Sequence, residues 1–141
     1  MYIISTIIPL ILYLIIGIVS SMMAYKSIFS TRFLPFHEQA AGKSWENIDP
    51  GVQTVIRALM KVSGLGFLTV ALLLLILPIV NYFDHESLFQ YLLPVIAFLY
   101  CLGLFFVNHQ LAVQTKAKTP WKGSFYAAVF IGIGLVLSFF Q

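Results

Sequence analysis

Residues 61–84 read KVSGLGFLTVALLLLILPIVNYFD, and no charged side chain lies between Lys61 and Asp84. A helix needs about 20 apolar residues to cross a hydrocarbon core about 30 Å thick. This stretch supplies that length, with Leu72, Leu73, Leu74 and Leu75 at its centre. Working outward, three more uncharged runs occupy 2–24, 87–115 and 123–141. The composition agrees. Hydrophobic residues make up 60% and charged residues 9% of the chain, against about 45–50% and about 25% in soluble domains. The expected fold is all-α, a polytopic membrane protein built as a four-transmembrane-helix bundle. A single transmembrane domain over 1–141 is expected. Its helices lie near 2–25, 50–82, 87–115 and 120–141, with a connecting loop at 26–49.

The charges give this bundle a direction. All eight Lys and Arg residues fall in two stretches, Lys26 to Lys61 and Lys116 to Lys122, while Asp84 and Glu86 alone occupy the gap between the second and third runs. Basic residues are retained on the cytoplasmic side of a membrane. Loops 26–61 and 116–122 are therefore expected in the cytoplasm, and both termini and the 84–86 turn outside it. The first run lacks the basic n-region of a cleavable signal peptide, so it is expected to persist as a span. The net charge of +3 does not point to nucleic acid, because no basic run is paired with a stacking aromatic array. The lone Cys101 can form neither an internal disulfide nor a thiolate cluster and reads as a packing residue.

Local signals place the helix ends. Asp49 followed by Pro50 suits a cap and first helical position, as do Thr119 and Pro120. Ser87 with Gln90 fits a capping box. Gln53, Arg57 and Lys61, four apart, form a polar stripe on the projecting start of the second span. Gly17 with Ser21, and Ser124 with Ala128 and Gly132, are small-residue faces where helices can approach closely. Pro9, Pro78 and Pro94 all lie in the half remote from the basic loops. Tight packing is therefore expected at the basic end and looser packing at the other. The mixture Phe33, Leu34, Pro35, Phe36 and Trp45 within the first loop suits the headgroup region, and a short interfacial helix around 36–46 is expected.

Chemistry is sparse. No Asp, Glu, Lys or Arg interrupts any of the four runs. Proton-coupled transport uses such intramembrane ionisable groups, so their absence disfavours a carboxylate-dependent antiporter and an arginine-lined thiol-conjugating site. The best polar constellation is His109 with Asn108 and Gln110. His37 and Glu38 could fold over it from the first loop. A neutral imidazole there could ligate haem or hydrogen-bond a quinone, or simply hydrogen-bond a neighbouring helix. No catalytic nucleophile, no metal-ligand spacing and no cofactor motif is present.

Two segments carry a resemblance: Phe36-His37 through Ser44-Trp45-Glu46, Asp49-Pro50-Gly51 and Gln53, and Lys118-Thr119-Pro120-Trp121. Together they resemble a family of small uncharacterised four-helix bacterial inner-membrane proteins. The resemblance implies residence in the inner membrane and carries no activity. The leading expectation is a non-enzymatic integral membrane protein that packs with a membrane-protein partner or a second copy of itself, or binds lipid. A haem-, quinone- or lipid-binding redox or enzyme component built around His109 ranks second, and a small transporter third.

Overall fold

The computed structural model describes residues 2–83 and 88–140, and their side chains other than those of 2–6 and Tyr82. Asp49 begins the longest helix as its sequence suggests. Its Oδ1 accepts the backbone N–H of Gly51 at 2.8 Å and of Val52 at 3.4 Å, which satisfies donors that have no partner within the helix. Pro50, which lacks an N–H, takes the first helical position. The helices are α1 (Tyr2–Phe29), α2 (Pro35–Ala41), α3 (Pro50–Phe83), α4 (Phe89–Thr115) and α5 (Trp121–Ser138), with a 3-10 turn at Trp45–Asn47. No strand occurs among the described residues.

Helices α1, α3, α4 and α5 are each long and apolar enough to cross a membrane. Their outer surfaces carry large apolar side chains in the open, such as Ile11, Ile15 and Ile18 on α1 and Leu65, Leu72 and Ile76 on α3. Only 22–33% of each span's apolar stretch is buried inside the bundle, so the remaining surface requires lipid. The molecule is an all-α, multi-pass membrane protein, a bundle of four spans. At about 1.5 Å per residue, the 34 residues of α3 exceed the hydrocarbon thickness, and its first turns project beyond it.

The spans run up and down, so the C-terminal ends of α1 and α4 and the N-terminal ends of α3 and α5 share one end, the basic one. Helix α1 packs against α3 and α5, and α4 against α5 and α3. The α3/α4 seam is the thinnest of these four contacts. Helix association in lipid depends on close fit because apolar burial gives little drive there. Glycines provide that fit. A Cβ on Gly64 would lie 2.6 Å from Ile28 Cγ1 and 3.1 Å from Ser27 Cβ, and one on Gly134 would lie 2.6 Å from Tyr13 Cε1. The core consists of Tyr13, Ile16, Val70, Leu74, Leu77, Ala97, Cys101, Ala128 and Ile131.

The structure differs from the expected pattern in three respects. Helix α1 continues to Phe29, and α2 divides the loop expected at 26–49. Thr119 does not cap α5. Its hydroxyl donates to the Asn108 carbonyl at 2.8 Å, and α5 opens after Pro120 with no side-chain cap. Among the described residues, the half remote from the basic loops, where looser packing is expected, also contains close packing. Pro9 and Pro94 are fully buried there, and Tyr13 closes against Gly134. At the basic end the α3/α4 seam leaves a gap, and the segment at 33–37 lies over it. The 84–86 turn and the Ser87 half of the expected capping box lie outside the described residues.

Candidate functional site: a cavity at the basic end

A cavity of about 340 Å³ occupies this seam. That is near the lower end of the range for small-molecule pockets, about 300–1,000 Å³. Met23 and Ser27 of α1 form its back. Ile56, Leu59, Met60, Ser63 and Phe67 of α3 form one side, and Leu104, Val107, Asn108 and Leu111 of α4 the other. Phe33, Leu34, Phe36 and His37 cover it, and Pro120 completes the wall. Leu59 and Val107 are exposed as well as lining, so the mouth lies between α3 and α4 on the outer surface of the bundle.

The covering segment is held by several polar contacts. The backbone N–H of Leu34 donates to His37 Nδ1 at 3.4 Å, while the His37 N–H donates to the Leu34 carbonyl at 2.8 Å. Gly42, in the left-handed conformation at φ 62°, ends α2, a geometry glycine adopts without a Cβ clash. Glu38 Oε1 accepts the backbone N–H of Trp45 at 3.3 Å. Trp45 is buried and meets the Phe33 ring edge-on at 5.0 Å, and Arg57 stands over its indole at 6.0 Å. Gln53 Nε2 donates to the Trp45 carbonyl at 2.9 Å and the Ile48 carbonyl at 3.1 Å. Two members of the polar stripe on α3 thus clasp the loop. On the other side, Gln39 Oε1 accepts the Lys118 N–H at 3.2 Å, which ties α2 to the α4–α5 connection.

The structure separates the polar residues singled out from the sequence. His37 and Asn108 line the cavity. Asn108 turns its amide back onto its own helix, donating from Nδ2 to the Leu104 carbonyl at 2.9 Å. Glu38 serves the loop through Trp45. His109 and Gln110 are exposed on the outer surface of α4, and neither is among the lining residues. The His109 ring packs on Phe105 at 5.6 Å and edge-on to Trp121 at 5.4 Å. His37 lies between Phe36 at 4.0 Å and Phe33 at 5.6 Å, and burial lowers its pKa below the usual 6.5. Its imidazole is therefore neutral near pH 7, with the remaining proton on Nε2 because Nδ1 is an acceptor.

Ser27 went unnoticed in the sequence, where it follows Lys26 at the end of an apolar run. Its side chain is only 5% exposed and lines the cavity. The signal that could have found it is Gly64, whose missing Cβ lets α1 approach α3 at this level. Among the described residues no three His, Cys, Asp or Glu side chains come together to hold a metal. The cavity is thus an apolar pocket with a few polar groups, opening between α3 and α4. No protein-family model, curated protein or solved structure matches this chain.

Proposed function

We propose that this is a non-enzymatic integral membrane protein of the bacterial inner membrane that takes a lipid from the cytoplasmic leaflet into the α3/α4 cavity. The single observation that carries this reading is the cavity itself, walled by apolar side chains and mouthed by the exposed Leu59 and Val107 between α3 and α4. The basic residues support the cytoplasmic assignment, since Lys and Arg collect on that side and all eight lie at the cavity's end of the bundle. Residence in the inner membrane rests on the family resemblance.

Purification in mild detergent followed by native mass spectrometry tests the reading. Wild-type protein should retain a bound amphiphile, and Leu104→Trp, which fills the cavity, should lose it. A protein that carries no lipid, or a filled variant that carries as much as wild type, would overturn the proposal.

A second reading, contact with a membrane-protein partner or a second copy, is favoured by His109 and Gln110. Polar side chains displayed on the outer surface of a spanning helix are costly in lipid unless partnered. A photo-crosslinker at position 110 should then capture one repeated protein band. Crosslinks to lipid alone would remove this reading.

A further inference from the structure

The polar lining of the cavity constrains the head of the lipid it would take, and this inference rests on the reading of the cavity as a lipid site. The lining residues include no Lys, Arg, Asp or Glu. A phosphate, carboxylate or ammonium drawn into it would lose its hydration without gaining an opposite charge, and that is strongly unfavourable. An uncharged head avoids that penalty.

Ser27 favours a head that also offers hydrogen-bonding atoms. Among the described residues, two serines in the spans satisfy themselves on their own helix, while Ser20, Ser63 and Ser124 do not, and of these only Ser63 also lines the cavity. Ser21 Oγ donates to the Gly17 carbonyl at 3.0 Å, and Ser138 Oγ to the Gly134 carbonyl at 2.9 Å. Ser27 is as deeply buried as Ser138, both at 5% exposure, yet its hydroxyl forms no such bond among the described residues. The enclosed polar atoms without a partner among the described residues are the Tyr13 hydroxyl and Asn81 Oδ1; the Ser27 hydroxyl is not one of them, and the open space beside it is the cavity its residue lines. His37 adds a second donor, because its Nδ1 is engaged by the Leu34 N–H and its proton stands on Nε2. Asn108, by contrast, directs its amide donor to Leu104. Hydroxyl and imidazole donors within apolar walls suit carbonyl oxygen.

We propose that the cavity binds an uncharged lipid whose head carries carbonyl oxygen, accepting hydrogen bonds from Ser27 and His37, with its tail leaving between α3 and α4. Two kinds of lipid supply this chemistry, an isoprenoid quinone and a neutral glyceride ester, and the experiment tells them apart.

The test uses the full chain in nanodiscs and four probes sharing a decyl-length tail: a decyl benzoquinone, monodecanoylglycerol, decyl phosphate and decyltrimethylammonium. At least one of the two carbonyl probes should bind about tenfold or more tightly than both charged probes. Its identity assigns the source. Ser27→Ala and His37→Leu should each weaken that binding about threefold to tenfold, the worth of one hydrogen bond, whereas His37→Gln, which keeps a donor, should weaken it less. Binding that is lost in Leu104→Trp but indifferent to head charge and to Ser27→Ala would overturn the head assignment and leave the lipid cavity standing. Absence of saturable binding by all four probes to the wild type would overturn both.

Discussion

The Thr119 hydroxyl donates to the carbonyl of Asn108 across 2.8 Å, bridging eleven positions of chain at the α4–α5 connection. Asn108 and the neighbouring Pro120 both line the cavity, so this one bond holds the hairpin and a wall of the site together. Thr119 is itself buried, and Lys116 at φ 56° turns the chain back toward it.

Removing that donor should be measurable. Thr119→Val keeps the shape and loses the bond, and is expected to reduce stability by about 1 kcal/mol. Thr119→Ser keeps the hydroxyl and should stay closer to wild type. Thermal unfolding of both variants in detergent decides the matter, and equal stability would mean the bond contributes nothing.

Two glycines should respond to alanine in opposite directions. In a helix interior Gly→Ala gains about 0.8–1.0 kcal/mol from propensity. At Gly103 nothing lies within 4 Å of the added Cβ, so Gly103→Ala should stabilise by about that amount. At Gly134 the Cβ would lie 2.6 Å from the buried Tyr13 ring. Overpacking costs about 1–3 kcal/mol, so the steric loss should outweigh the gain and Gly134→Ala should destabilise. The difference between the two melting temperatures is the readout.

The His37 imidazole gives a pH dependence of known sign. Burial holds its folded pKa below the unfolded 6.5. Between those two values the unfolded chain binds more protons, so stability rises with pH. This contribution is complete above 6.5, is lost as the pH falls through that value, and levels off below the folded pKa. Protonation also removes Nδ1 as an acceptor for the Leu34 N–H. Unfolding temperature followed from neutral to acid pH should therefore fall more steeply for wild type than for His37→Leu. Parallel curves would show that His37 is as solvated as a free histidine.

Sidedness can be tested directly. Lys118→Cys should react with a membrane-impermeant maleimide only after cells are opened, and Glu86→Cys should react in intact cells. Cys101 is buried and should stay silent in both. Labelling of Lys118→Cys from outside would reverse the proposed orientation.

The four spans were legible in the sequence because an uncharged run of membrane length has few other destinations. The start of α3 was legible too, since Asp49 acts through atoms only two or three residues away. The covering helix at Pro35–Ala41 was foreshadowed by aromatic and polar residues mixed in one loop. The site was not legible to the same degree. His37 and Asn108 could be named from residue type, but Ser27 looked like any serine near a helix end, and the inward or outward turn of His109 depended on how α4 is rotated. Apolar side chains surround these helices on every face, so hydropathy carries little information about rotation.

Residue type alone determined that this chain crosses a membrane four times, with its basic residues gathered at one end. Transfer into hydrocarbon is close to a property of each side chain, whatever its neighbours. Tertiary packing decided which polar groups meet. Gly64 admits α1 to α3 beside Ser27, Gly134 receives Tyr13, and the segment at 33–37 covers the seam that remains open. These are questions of steric fit between segments distant in the chain, and in lipid that fit supplies much of what positions one helix against another.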